Sequence, residues 1–320
     1  MRAASSAYNH LMARKPLSLE EQLDRLAELR RAAPSPEGRA EAAKYLTSKS
    51  NLTVAKAARI AGEWQAAELT PELVTAFDRF ILKPETDKRC AAKIEILKAL
   101  CALDYPSPEL FRRAIRHVQW EASWGPPVDT AAEVRALGAM GLAQTNDPDA
   151  LEGILPLLLD SEVDARIGAV RAMGNSALPG AVLLLRLKAL MGDQAGVLGE
   201  CFAALLRAAP SESPGFVAKF LDHREEAVAE AAALALGESR RETAFGLLRE
   251  ALERTAPGTL RRTLLLAIAL LRREEAIDYL LELVRTGGSH TSADAEAALE
   301  MYLTDPKVQK RLAEARQDKP

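Results

Sequence analysis

The chain has 320 residues, 48% of them hydrophobic but only 5% aromatic, and its 42 Lys and Arg nearly balance its 45 Asp and Glu for a formal charge of −3. Such a balance supplies no global field to pull the protein onto nucleic acid or an anionic membrane. The three cysteines, Cys90, Cys101 and Cys201, lie far apart without a C-x-x-C pair, which excludes a disulfide framework and a thiolate zinc site.

The first segment, "MRAASSAYNHLMARKPLS", has basic residues but no apolar core of signal-peptide length. Nowhere do roughly eighteen apolar residues run without a charge, so the expected location is cytoplasmic. "SLEEQLDRLAELRRAAPSPEG" follows, with Ser18 and Glu21 in capping-box spacing, Leu19, Leu23, Leu26 and Leu29 on one face, and a stop at Pro34 and Pro36. One apolar and one wet face suit an end helix, and residues 1–49 are expected to form N-terminal capping helices.

From residue 50 onward strand signals are nearly absent, and Ala and Leu recur at i, i+3, i+4 spacing. One short pattern returns: a small residue, two variable positions, Ala, then Leu or Met. It reads Ala136 with Ala139-Met140-Gly141, Ala169 with Ala172-Met173-Gly174, Cys201 with Ala204-Leu205-Leu206, and Ala232 with Ala235-Leu236-Gly237. Looser copies stand at Ala57 with Ile60-Ala61-Gly62, at Ala99-Leu100, Ala269-Leu270 and Ala298-Leu299. The alanines from Ala99 onward lie 40, 33, 32, 31, 34 and 29 residues apart.

Small residues one turn apart let a neighbouring helix approach, and the adjacent Leu or Met fills the remaining gap. A second helix is expected after each, with apolar stripes at Leu151, Ile154, Leu155 and Leu158; at Leu183, Leu187 and Leu190; at Phe245, Leu248 and Leu252; and at Ile277, Leu280, Leu281 and Val284. Asp160, Asp193 and Asp222 fall at the turns between units, where a carboxylate can cap the next helix. "RTGGSHTSAD", Arg285 to Asp294, reads as a flexible connection. The charged "PKVQKRLAEARQDKP" reads as a C-terminal cap and tail over 306–320.

Units of this length, each unable to bury its apolar face alone, stack into a solenoid. "DSEVDARIGAVRAMGNSALPGAVLLLRL" and "DHREEAVAEAAALALGESRRETAFGLLREAL" resemble the HEAT repeat family, in particular its short bacterial, phycobilisome-lyase-like variety. The resemblance implies an all-α, right-handed α-solenoid of about seven to eight stacked helix-turn-helix repeats over residues 50–305. The basic residue usual near the start of the first helix survives as Arg166, while the matching positions are Glu133 and Ala229, which argues against a regular ladder of stacked charges.

No nucleotide-binding glycine loop, H-E-x-x-H or G-x-S-x-G occurs, so no catalytic residue is assigned. His10, His117, His223 and His290 do not cluster, and neither a metal nor a cofactor is expected. Cys101 and Cys201 occupy small-residue positions of the repeat and read as core. "ELFRRAIRHVQW" places Arg112, Arg113, Arg116 and His117 on one short helix, either as an anion site with Trp120 nearby or as a dipole complement snorkelling over apolar surface.

The 40-residue spacing marks an insertion at 117–131, "HVQWEASWGPPVDTA", holding two of the three tryptophans. It reads as an inter-repeat loop that either plugs the groove between units or presents Trp to a partner, with Trp120 packed inward and Trp124 the more exposed ring. Arg112, Arg113, Arg116, His117, Trp120 and Trp124 are thus the candidate partner-binding residues. The function expected is a non-enzymatic scaffold or adaptor, monomeric, binding another protein through its curved surface, with neither nucleic acid nor membrane as partner. The alternative is a HEAT-fold enzyme. Resemblance to alkylpurine DNA glycosylases would draw on Trp120, Trp124, Glu121, Asp129 and the three arginines; no residue supports a bilin lyase beyond the repeat itself.

Overall fold

The computed structural model describes residues 17–317, which separate into two compact units, one of residues 17–105 with His117–Val134 and one of Pro106–Arg116 with residues 135–317. His10 and the rest of 1–16, and residues 318–320 of the expected tail, lie outside the described residues.

The first unit contains helices α1 (Leu19–Arg31), α2 (Pro36–Leu46), α3 (Asn51–Glu63), α4 (Thr70–Leu82) and α5 (Ala91–Ala102), then strands β1 (Trp120–Glu121) and β2 (Val128–Asp129). The capping box forms as expected: the Glu21 N–H donates to the Ser18 hydroxyl at 3.2 Å and the Ser18 N–H to the Glu21 carboxylate at 2.7 Å. Of the four leucines on α1, Leu26 and Leu29 are buried while Leu19 is exposed. α3 packs against α1, α2 and α5, and a side chain at Gly62 would meet the Ala99 backbone at 3.1 Å, so the small-residue pattern here sets the distance between two helices.

The second unit holds α6 (Pro108–Ile115), most of α7 (Ala132–Gln144), α8 (Ala150–Ile154), α9 (Val163–Gly174), α10 (Ala181–Met191), α11 (Ala195–Ala208), α12 (Pro214–Ala218), α13 (Glu226–Glu238), α14 (Glu242–Arg254), α15 (Thr259–Leu270), α16 (Glu274–Thr286), α17 (Ser289–Leu299) and α18 (Pro306–Gln317). Helices α9, α11, α13, α15 and α17 pack in sequence as one layer, and α10, α14 and α16 lie against it. This is an all-α solenoid. Ala139, Ala172, Ala204, Ala235, Ala269 and Ala298 of the recurring pattern are all buried. The glycine that ends three of the motifs has a steric reason: a Cβ at Gly174 would sit 2.5 Å from that of Ala204, and one at Gly237 only 2.4 Å from the Ala267 carbonyl oxygen.

Four expectations change. The Gly-Gly connection is short, because Ser289 to Asp294 already belong to α17, where the buried Ser292 hydroxyl donates to the Val284 carbonyl at 2.8 Å. The apolar stripe assigned to α10 faces the other way: Leu185 and Ala189 are buried, while Leu183, Leu187 and Leu190 are exposed, and in the preceding repeat Leu155 is exposed as well. Asp160 is not the N-cap residue of α9, which is Glu162; its carboxylate accepts from the Glu162 N–H at 2.9 Å at the helix entry and also receives a fork from Arg135, with Nε at 2.8 Å and Nη2 at 2.9 Å. Arg166 pairs with Asp193 in the same manner, with Nε at 2.8 Å. Arg135, two positions past Glu133, is long enough to supply the missing cation, so the charge pattern is more regular than aligned positions suggest. A second set of pairs links successive helices at the surface, Arg30–Glu63 and Arg59–Glu95 in the first unit and Arg171–Glu200 in the second.

Candidate interaction hairpin

The insertion is a two-stranded hairpin. β1 and β2 are antiparallel, with Trp120 opposite Asp129 and Glu121 opposite Val128. Two strands this short do not hold themselves in water, so the hairpin needs an anchor.

The anchor is polar. α5 carries Lys93 in the same stripe as Ile96, Leu97 and Leu100, and all four are buried. A buried ammonium requires partners. Lys93 Nζ donates to Gln119 Oε1 at 2.8 Å and to Asp87 Oδ2 at 3.2 Å, with the Phe80 carbonyl at 3.5 Å. Asp87, equally buried, also accepts from the Ala92 and Lys93 backbone N–H groups and from the Asn51 amide. Gln119 completes the link, since its Nε2 donates to the Asp87 carbonyl at 2.9 Å and to Glu121 Oε1 at 2.6 Å. Thus the residue just before β1 is tied to a charge pair inside the helical stack.

Glu121 closes the network from the hairpin side. Its Oε1 accepts from Gln119, from the Thr130 hydroxyl at 3.0 Å and from the Arg89 N–H at 2.6 Å. Arg89 and Cys90 are consecutive non-glycine residues at φ 56° and 53°, a left-handed pair held at a cost by its surroundings. Partial burial disfavours the Glu121 charge, but the Arg89, Gln119 and Thr130 donors and the nearby Lys93 more than offset this and hold its carboxyl below the usual range. A carboxylate with a lowered folded pKa contributes stability that is present above its unfolded value and is lost as pH falls through the folded one. The hairpin is therefore expected to stay anchored through the ordinary carboxylate range and to loosen only at more acidic pH. Glu121→Gln should flatten that dependence when tryptophan fluorescence anisotropy is followed through an acid titration; an unchanged profile in the variant would assign the transition elsewhere.

At the far end, the Ser123 hydroxyl donates to the Pro126 carbonyl at 2.6 Å and accepts from the Gly125 N–H at 3.1 Å. Gly125-Pro126-Pro127 adds two residues of fixed φ. This ordered turn projects Trp124, whose relative exposure is 109%. Trp120 does not pack inward as expected: it is 64% exposed, because the inward positions of the strand pair are taken by Gln119, Glu121 and Thr130. The hairpin is anchored, but by amides and carboxylates and not by tryptophan.

The remaining candidates are dispersed. α6 ends at Ile115 and Arg116 is its exposed C-cap, so His117 is not on that helix; its Nε2 lies 3.3 Å from Gln119 Oε1. Arg112 pairs with Asp147 and with Glu109, which removes it from any anion site. Arg113 is exposed. Arg112, Arg113 and Arg116 belong to the second unit, His117, Trp120 and Trp124 to the first. Asp129, a carboxylate the glycosylase-like reading would use, accepts from the Gln119 and Ala131 N–H groups, and Glu121, the other, is engaged in the network described above.

Among the described residues no group of three or more His, Cys, Asp and Glu could hold a metal ion, and no helix is long and apolar enough to cross a membrane. Burial pushes the Cys90 thiol up to about 11 and those of Cys101 and Cys201 up to about 12, so all three are protonated at neutral pH and poor nucleophiles. Cys201 belongs to the core, as expected from its repeat position.

Residues 213–300 match the family model for HEAT repeats. No curated protein matches the chain. Among solved structures, human deoxyhypusine hydroxylase in complex with glycerol is similar at a TM-score of 0.30 and 17% identity, over 91% of this chain and 92% of that one. An engineered protein is similar at 0.36 and 18%, over 94% and 95%, and a second engineered protein at 0.29 and 17%, over 85% and 96%. Scores this low carry nothing further to this chain. HEAT repeats over 213–300 and a helical-repeat scaffold fold stand.

Proposed function

We propose that this chain is a helical-repeat scaffold that binds a partner protein, with the 117–131 hairpin as a contact point and Trp120 and Trp124 as its anchors. The supporting observation is an indole wholly in solvent at the end of a hairpin whose base is locked by a buried ion pair. A large aromatic on a rigid base loses little entropy on binding and offers the residue type that dominates interface energetics. Val118, exposed and two residues before Trp120, adds apolar surface near it. Arg113 and Arg116 remain cationic candidates on the second unit. Three free cysteines, none in a disulfide, suit a reducing cytoplasm.

Affinity capture from native lysate, read by mass spectrometry, tests this with the wild type beside Trp120→Ala/Trp124→Ala. Because both rings are exposed, the double variant should change stability by under about 0.5 kcal/mol per site. Loss of a partner captured by the wild type, with affinity weakened by about 2 kcal/mol or more, is the expected result. An identical set of captured proteins at identical affinity would remove the hairpin from the reading.

A further inference from the structure

In the second unit, α10 turns three leucines to solvent at i, i+4 and i+7, Leu183, Leu187 and Leu190, with Met191 beside them. Leu155 and Leu159, on the short helical turn after α8, are exposed too, and Leu151 of α8 lies against Gly180, just before α10. Scattered single leucines on a surface need no explanation, but a stripe at the spacing of a helix-helix seam does.

We infer that this stripe is a self-association face, on which α10 of one copy packs antiparallel against α10 of a second copy about a two-fold axis near Leu187. Three observations favour a copy of the same chain. First, the cations of the stripe are already engaged within their own chain: Arg186 lies over the Phe216 ring at 5.5 Å, donates to the Glu212 carbonyl at 3.4 Å and pairs with the Glu212 carboxylate at 3.7 Å, while Lys188 is buried against Asp193 at 2.6 Å. Apposing the face with itself therefore brings only charges already balanced by a carboxylate near one another, and no uncompensated charge is left to select a foreign chain. Second, an isologous contact sets each residue against the same patch, so that Leu187 meets its own equivalent and Leu183 meets Leu190 and Met191 of the other copy. Third, at fractional exposures of 53 to 69% the four α10 side chains present on the order of 400 Å² per copy, and a pair would bury about 800 Å², the size of a weak, transient contact. The association is accordingly reversible and concentration-dependent.

Sedimentation over a concentration series tests the assignment, with circular dichroism melts as the folding control. The wild type should pass from monomer to dimer as concentration rises, and Leu187→Glu/Leu190→Glu, which sets like charges across the axis, should weaken the dimer at least tenfold while melting as the wild type does. Leu187→Cys should form an intermolecular disulfide under mild oxidation, whereas Leu82→Cys, at a position 80% exposed in the first unit, should not. A wild type that stays monomeric at every concentration overturns the inference and leaves the stripe to a different chain. A dimer that persists in the glutamate variant overturns it as well.

Discussion

Replacing Lys93 with methionine is expected to destabilise the first unit by about 3–5 kcal/mol, the cost of removing one partner from a buried ion pair. Methionine fits the aliphatic stem of lysine, so little of the loss is packing. What remains is the Asp87 carboxylate, fully buried, with two backbone N–H groups and an Asn51 amide as donors but no cation. Its charge then has no counterion in a low-dielectric surround. Asp87→Asn added to Lys93→Met should recover part of the loss, because the amide oxygen can still accept while the stranded charge is gone. Chemical denaturation read by hydrogen exchange at α5 measures this locally, which matters in a chain of two units that need not unfold together. The same variant should free the hairpin, since Gln119 loses its donor, and tryptophan anisotropy should fall. A loss below about 1 kcal/mol with unchanged anisotropy would mean that Lys93 is not the anchor.

The second large effect is one of sign. Glycine to alanine inside a helix ordinarily stabilises by about 0.4–1 kcal/mol, because alanine has less backbone freedom to lose. At Gly246 in α14 an added Cβ meets nothing within 4 Å, and the ordinary gain is expected. At Gly237 in α13 the new methyl would lie 2.4 Å from the Ala267 carbonyl oxygen and 2.8 Å from its Cα. Backbone of a packed helix cannot rotate aside as a side chain does, so α13 and α15 must separate, at a typical overpacking cost of about 1–3 kcal/mol that outweighs the propensity gain. Thermal melts of the two variants should move in opposite directions. Movement in the same direction would contradict the crossing geometry.

These two sites also mark what a sequence can and cannot disclose. The recurring Ala-Leu or Ala-Met, with glycine after it in several copies, was legible because it records a packing distance: at Gly174 and Gly237 the next helix comes too close for a side chain, and a small residue returns at this place in each layer. α10 was not legible in the same way. "AVLLLRLKALM" carries leucine on every face, so periodicity alone does not say which side is inside, and the buried choice rests on small Ala181 and Ala189 beside Leu185 and on the Lys188–Asp193 pair. The 40-residue interval located the insertion, but its anchor joins residues 87, 93 and 119, and no local pattern links positions that far apart. One signal was present: Lys93 interrupts an otherwise apolar stripe with Ile96, Leu97 and Leu100, and a charge at such a position demands a counterion somewhere in the fold. The tryptophans misled for the opposite reason, since a large ring beside an insertion suggests a plug, whereas strand alternation gave the inward places to Gln119 and Glu121.

The hairpin divides its labour between its two ends. Gln119, Glu121 and Thr130 carry hydrogen bonds that fasten it to the helices, whereas at the tip Ser123 bonds to Gly125 and Pro126 within the turn itself. The segment from Ala122 to Pro127 is thus a natural transplant site: a foreign loop of similar length that keeps Gln119, Glu121 and Thr130 would inherit a fixed exit direction without asking the solenoid to refold. The same arrangement lets the tip change by substitution while the helical stack stays under its own, separate constraint.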